Sequence, residues 1–544
     1  MEMTMKTAKL FFKTTCLFTA AILTGCTADV TQEEEKNKEP NPTATNITFT
    51  SENPSTRTSI THSIGNGATP FWSTGDKIWV KDVTNQWQQS SAGIFSNDMS
   101  NGVFSLSSGT FSDNCEVHYT GANGTEGDKV TIAKEQTQSA PNNFSHAGAS
   151  GDCGMGRAKG NGKDFKFKLS HKSSYLCFLP TTSNELLKKY GKLFKIEVTS
   201  KDAIAGTYGF SNGTLSNTPI SGGSKTISLT TGDGFSIENS TNIDKNGSYI
   251  VIAPGTHTFT VRYWLRYKEN SYSEERKGTV TKTFTLNCEA GKIYDIKAKL
   301  DPTDYSDKKY YMWDCENGQH YWKGYEQHQP KTKNAADHSH YPMSVTDSRW
   351  YNEQAFPTPA NRSCKDCPNA NETWWYIQDG DPHWDSEELW VMYNHLYTGG
   401  MWFKKKDNIP TFSSTQAPNN KDYTTQDISA YYENPDVPFG RPDNSEKYFY
   451  LPALGGYGYG RFDNIGEVGN YWTCSPTPWN GSPSVATKGA YYLYFYLSND
   501  GKKCTASLYG GLNREKGFTR WKVTYTLSFL RKAPTFSSQG FAMS

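Results

Sequence analysis

Between residues 46 and 302 the chain reads as short runs of alternating apolar and polar residues. Phe165-Lys-Phe167-Lys-Leu169 alternates strictly, as do Phe194-Lys-Ile196-Glu-Val198, Phe259-Thr-Val261-Arg-Tyr263 and Tyr294-Asp-Ile296-Lys-Ala298. A period of two turns one face toward a core and the other toward water, which predicts half-buried β-strands. Turn dipeptides such as Asn212-Gly213 and Asp233-Gly234 separate the runs. Helical periodicity is scarce. One short helix is predicted from Asn184 to Tyr190, stopped by Gly191. Many short strands with frequent turns predict β-sandwiches. The span is long for one sandwich, so two are expected, at 46–180 and 181–302, divided near Pro180-Thr181-Thr182-Ser183.

Residues 303–308 read as a linker, and beyond them the pattern changes. Of the 15 Trp in the sequence, 11 lie after residue 308. One amphipathic helix is predicted over 386–398. Asp385 would cap it, Glu388 fits the reciprocal position, and Gly399-Gly400 would end it. Leu389, Tyr393 and Leu396 would share a face. The remainder reads as strands and long irregular loops. Residues 309–534 are therefore expected to form a separate α+β domain, followed by a tail at 535–544.

The amino terminus differs again. Lys6, Lys9 and Lys13 precede an apolar stretch from Leu17 to Leu23, and then come Thr24-Gly25-Cys26. A positive start, an apolar core and small residues before a cleavage point mark a secretory signal over 1–25. The core is far shorter than the ~20 residues that span a bilayer. Residues 26–45 hold Glu33-Glu34-Glu35 and almost nothing to pack, and read as an acidic flexible tether.

Composition narrows the functional classes. The formal net charge of the 544 residues is +1, so nucleic acid is not an expected partner. Aromatics reach 14%, as in β-rich exported proteins with polar loops. Of 11 Cys, Cys16 leaves with the signal, and nine others follow Cys26. An odd number over this length is no dense disulfide framework. Cys364-Lys-Asp-Cys367 is the one CxxC, and reads as a local disulfide or two free thiols. Zinc would need a further ligand pair, and His338 and His340 lack finger spacing.

Three family resemblances follow. Leu23-Thr24-Gly25-Cys26 resembles a bacterial lipobox, which implies lipid on Cys26 and anchoring at the outer membrane, facing the cell surface. Thr56-Arg57-Thr58-Ser59-Ile60 with Phe71-Trp72-Ser73-Thr74-Gly75-Asp76-Lys77-Ile78-Trp79-Val80, the run Phe167 to Phe178, and Ala290-Gly291-Lys292-Ile293-Tyr294-Asp295-Ile296 resemble the fimbrillin family of Bacteroides-type pili. That resemblance implies paired sandwiches with transthyretin-like strand order. It also implies cleavage after Arg57, loss of the strand at Ile47-Thr48-Phe49-Thr50, and strand exchange with other fimbrillin subunits. Tyr448 to Gly456, Gly466 to Ser475, Ala490 to Phe495 and the segment from Gly517 resemble the Fibrobacter succinogenes major paralogous domain, whose fold is akin to C-type lectins. The expected architecture is thus mainly β: two transthyretin-like sandwiches and a C-type-lectin-like α+β domain.

The expected sites follow from side-chain chemistry. Trp72 and Trp79 have the size to anchor a core, and His171 is expected to be a hydrogen-bonded, half-buried residue. The Trp-Asn-Asp signature of calcium-dependent sugar binding is absent, because Trp472 is followed by Thr473-Cys474. Asp379, Asp381 and Asp385 are the remaining calcium candidates, although a turn and an acidic helix start explain the same string. Tyr457, Tyr459 and Trp479 are candidates for stacking on a glycan or on a surface protein, with Trp374, Trp375, Tyr376 and Trp384 as further aromatics. Cys474 and Cys504 are the one pair on which an oxidative, formylglycine-type activity would rest. Their flanks hold no reactive-thiol setting, and no hydrolase, zinc-protease or phosphate-loop motif occurs, so no enzyme is expected. The function expected is a surface pilus tip or accessory subunit that adheres through its last domain. The alternative is a non-pilus glycan-binding lipoprotein for nutrient capture.

Overall fold

The computed structural model describes residues 47–52, 59–268, 275–428, 430–478, 489–498, 500–511, 513–521 and the backbone of 535–540. Cys26, Arg57 and Trp479, with the signal and tether segments, lie outside the described residues. The protein is mainly β, in several sheets. No helix among the described residues is long and apolar enough to cross a membrane.

The first sheet has eight strands. Strand Ile47–Ser51 lies inside it, parallel to Asp164–His171 on one side and antiparallel to Gly102–Leu106 on the other. Phe49 is fully buried and stacks on Phe165 at 4.7 Å between centroids. The Asp164–His171 strand shows the anticipated alternation of exposed and buried residues along its whole length. Trp72 is buried, its indole donating to Ser51 Oγ at 3.1 Å. Trp79 is not a core anchor. It sits between Ile78 and Val80, both fully buried, so the pleat turns its ring to the outer face. Gly75, at φ 94°, makes the tight turn expected there, and the turn is closed by the Ser73 amide donating to Asp76 Oδ2 at 2.7 Å.

The next sheets form a sandwich. One layer orders Glu135–Thr137, Thr226–Ser236, Gly191–Ser200, Gly255–Tyr267 and Arg276–Cys288. The other orders Ser248–Ile252, Ser174–Thr181, Lys292–Lys299 and Thr535–Gly540. Leu176, Phe178, Ile250 and Ile296 meet Ile196, Leu229, Val261 and Tyr263 between the layers. Strand Ser174–Thr181 is buried on both faces, because Tyr175, Cys177 and Leu179 are covered by Ile60, Ala68 and Phe144. A strand covered on both sides needs a continuous apolar run rather than alternation. Sheet membership changes between His171 and Ser174, while Lys129–Ile132 and Glu135–Thr137 reach forward to pair with later strands. The segment 535–540 pairs antiparallel with Lys292–Lys299.

Two local readings of this region are settled by geometry. Asn184 caps helix Glu185–Tyr190 as anticipated, its side chain accepting from the Leu187 amide at 3.0 Å. Phe194 is not in phase with Ile196. A bulge between Leu193 and Lys195 sends Leu193 into the core and leaves Phe194 half-exposed, 6.3 Å from the Trp264 ring.

Residues 310–521 build a third core, rich in Trp and Tyr, around a six-stranded sheet and helix Ala370–Gln378. This helix carries a full capping box, Asn369 with Glu372. The helix anticipated over 386–398 does not form. Trp390–Met392 and His395–Tyr397 make a hairpin through Tyr393 and Asn394, both at positive φ. Leu389, Val391 and Leu396 join the core of the sandwich, while Trp390, Met392 and Tyr397 join the aromatic core. A strand serves two cores on opposite faces, and a short helix does not. The Leu389 amide donates to Thr279 O at 3.0 Å and the Thr279 amide to Glu387 O at 2.6 Å, so the aromatic unit is seamed to the sandwich. Thr303–Asp304, the start of the anticipated 303–308 linker, pairs in parallel with Trp390-Val391.

Candidate functional site

Gly456–Gly458 and Arg461–Asp463 form a hairpin whose tip is Tyr459 and Gly460, at φ 51° and 80°. Two left-handed residues make a tight turn that projects its first side chain. Tyr459 is 56% exposed, and Lys516 Nζ lies 3.9 Å from its ring centroid. The loop beneath is stapled to this tip. Asp337 N donates to Gly460 O at 3.0 Å, and His338 Nδ1 bonds Tyr459 O at 2.8 Å.

Tyr325 is a second exposed ring, with the Arg349 guanidinium 4.6 Å from its centroid. Arg349 itself is buried and fixed. It donates to Asp347, to Tyr321 O at 3.0 Å and to His340 O at 2.9 Å. Met343 and Val345 are exposed on the same loop. A shallow groove is lined by Tyr325, His340, Tyr341, Met343, Asp347 and Arg349. The Ser339 amide holds the Asp337 carboxyl below its usual range. Exposed rings beside cations suit stacking on a flat polar ligand.

The other sequence candidates sit elsewhere. Tyr457 is 1% exposed, its ring stacked on Phe462 and its hydroxyl donating to Pro330 O. Tyr457 and Tyr459 are two positions apart, which a regular strand would put on one face; the left-handed turn at Tyr459 swings that ring outward while Tyr457 stays in the core and offers no surface ring. Trp374, Tyr376 and Trp384 are buried, and Trp375 is half-buried with its indole donating to Gln416 O.

Asp379, Asp381 and Asp385 do not gather as a three-carboxylate site among the described residues. Asp385 is buried, and accepts from the amides of Glu387 and Glu388 and from the Trp402 indole. Asp381 accepts from Tyr448 at 2.6 Å and pairs with Lys404 at 3.2 Å. Burial raises the Asp379 carboxyl. The oxygens of Asp381 and Asp385 are thus engaged by local donors.

Cys364 and Cys367 are buried free thiols; the other seven described cysteines are also free, and all but the half-buried Cys474 are buried. Burial pushes Cys474 and Cys504 up to about 12, away from the thiolate that a reactive cysteine needs. His171 bonds Asp152 at 2.8 Å and is 8% exposed, close to expectation.

Two clusters escaped the sequence reading. His62 Nε2 bonds Asp295 Oδ1 at 2.7 Å beside Cys177, all three buried, and this latches hairpin Ser59–His62/Ala68–Phe71 onto the sandwich. His328, Asp337 and His340 converge near the exposed tip. The only signal of the second was His338-Ser339-His340; the residues that join His340 lie three and twelve positions back, with no regular spacing.

No family model matches the chain, and no curated protein does. Among solved structures it is similar to a candidate cell adhesion protein from Bacteroides ovatus, at 15% identity and a TM-score of 0.30 over 47% of this chain and 92% of that one. A candidate cell adhesion protein from Bacteroides uniformis shares 15% identity at a TM-score of 0.27, over 48% and 94%. A fimbrial protein from Bacteroides ovatus shares 12% at 0.19, over 49% and 51%. At such identities and TM-scores these proteins lend the chain no ligand and no mechanism.

Proposed function

We propose that this protein is a surface adhesin of fimbrillin-like build, delivered by a lipobox at Cys26, whose C-type-lectin-like last unit contacts a glycan or a surface protein. The observation that carries the reading is the Tyr459–Tyr325 face. Two exposed rings, one beside Lys516 and one beside the anchored Arg349, stand on loops of a unit seamed to the sandwich by the Thr279–Leu389 pairing. A rigid seam transmits load from ligand to anchor, which an adhesin requires and a flexible linker does not supply.

Pilus incorporation is the finer part of the proposal. The position of Ile47–Ser51 supports it. Removing an interior strand would unpair both Asp164–His171 and Gly102–Leu106 and open a groove for a strand of another subunit.

Two experiments test the reading. Glycan-array binding by the intact chain should be strong, and Tyr459→Ala should abolish it while the melting temperature stays put. A blank array with folded protein would sink the glycan half. Immunogold labelling should decorate filaments; label confined to the cell envelope would leave an anchored adhesin and remove the pilus.

A further inference from the structure

His328 ends the 3-10 turn Glu326–His328, and Asp337 and His340 belong to the loop stapled to the Tyr459 tip. Asp337 Oδ2 lies 3.3 Å from His328 Nδ1 and 3.0 Å from His340 Nδ1. The two imidazoles stack with centroids 3.7 Å apart and planes 19° from parallel. One ligand atom from each residue lies within 4.8 Å of the other two. Tetrahedral bonds of about 2.0–2.1 Å around zinc separate neighbouring ligand atoms by about 3.3–3.4 Å, close to the two carboxylate–imidazole distances here.

The carboxylate is also oriented for the task. Its Oδ1 accepts the amides of Ser339 at 2.8 Å and His340 at 3.1 Å, which holds Oδ2 toward both rings. Such outer contacts fix a ligand before the ion arrives. His338, between Asp337 and His340, is turned to the Tyr459 carbonyl and stays outside the cluster.

We infer that His328, Asp337 and His340 form a site for a borderline divalent transition cation of the zinc type. Two imidazoles and one carboxylate suit such an ion, whereas calcium takes six to eight oxygens. Three protein ligands leave a fourth position open. His340 also lines the groove beside Tyr325, so that position is accessible to water or to a donor atom of a bound partner. The site is independent of the adhesion reading, since metal affinity alone measures it.

The test is calorimetric titration of the chelator-treated full chain with zinc chloride, with calcium chloride in parallel and cobalt(II) absorption as a geometric probe. One tight zinc equivalent is expected, with no heat from calcium. His328→Ala/His340→Ala should weaken zinc by more than the ~100-fold typical of losing an outer-sphere partner. Asp337→Asn keeps an oxygen for the Ser339 amide and should also weaken zinc while the chain stays folded. Cys177→Ser disrupts the buried His62 cluster and should leave zinc affinity unchanged. Absence of stoichiometric zinc, wild-type affinity in the double variant, or loss of zinc in Cys177→Ser would each overturn the inference.

Discussion

The sandwich and the aromatic unit solve one problem in opposite ways: each buries a long backbone whose amides and carbonyls need partners. In the sandwich the backbone pairs with itself. Gly255–Tyr267 and Arg276–Cys288 run in unbroken register from Gly255↔Cys288 to Tyr267↔Arg276. Side chains there are left to alternate between core and water. In the aromatic unit many strands are only two to five residues long, and side chains satisfy the backbone. The indoles of Trp313, Trp390 and Trp472 donate to the carbonyls of Thr473, Gly399 and Tyr311. Buried Arg514 donates to the carbonyls of Gly489, Asn352 and Gln354 while lying over Trp313. Buried Asp314 accepts the amides of Asn361, Arg362 and Cys364. In the sandwich such side-chain pairing is confined to a few sites, as where Gln136 and Gln138 bond the backbone of Val251 and Tyr249; in the aromatic unit it is the framework.

The sharpest break of this contrast is Asp314→Ala. The buried Cys364 amide and the buried Asn352 side-chain amide would lose their acceptor, at about 1–3 kcal/mol each, and the less buried Asn361 and Arg362 amides would lose theirs at smaller cost, so a loss of ~2–6 kcal/mol is expected. Urea unfolding followed by near-ultraviolet circular dichroism of the Trp-rich core should show it; a change under ~1 kcal/mol would remove the framework role.

Leu389→Ala comes next, because Leu389 belongs to the sandwich core although it lies in the aromatic unit's stretch of chain. Truncation of a buried Leu costs about 2–5 kcal/mol, and here it should also split one unfolding transition into two. A single calorimetric transition of unchanged shape would show that the seam does not couple the regions.

Asp76 gives a smaller, pH-dependent effect in the first sheet. Burial pushes its carboxyl up to about 7 from 3.8, so the folded chain holds a proton that the unfolded chain releases near pH 3.8. Its stabilising contribution is therefore full below pH 3.8 and is lost as pH rises toward 7. Between those limits Asp76→Asn should lose ~2 kcal/mol less stability than the parent, relaxation and water entry having reduced the full shift. Parallel slopes of urea midpoint against pH in the two proteins would exclude a titrating Asp76.

Thr258→Ala should matter least. Thr258 is exposed and shares only a hydroxyl contact of 2.9 Å with Thr285 across the hairpin. A loss of about 0.5 kcal/mol is expected in the same urea assay. A loss comparable to that of Asp314→Ala would erase the distinction between the two regions.

The same contrast governs what was legible. Strands 164–171 and 255–267, and the helix after Asn184, were readable because local period and local caps decide them. Phe194 was misread because one inserted residue shifts the phase of a strand, and nothing in its own run marks the bulge. The helix over 386–398 was misread because Asp385 does cap the following amides, yet Thr279 captures the Leu389 amide from more than a hundred residues away. Tyr459 and Tyr457 looked alike among their glycines. Two positions apart, they would share a face of a regular strand, and only the left-handed turn at Tyr459 separates them.

The sequence alone determined the β character, the alternating faces of the sandwich, and the place where composition turns aromatic. Those are properties of near neighbours, fixed by sterics and by the period of side chains along a strand. Tertiary structure alone decided which strand lies inside the first sheet, which core receives Leu389, and that His328, Asp337 and His340 meet. Each depends on segments distant in sequence arriving at one place, and the free energy that holds them there belongs to burial and pairing across the chain rather than to any local run.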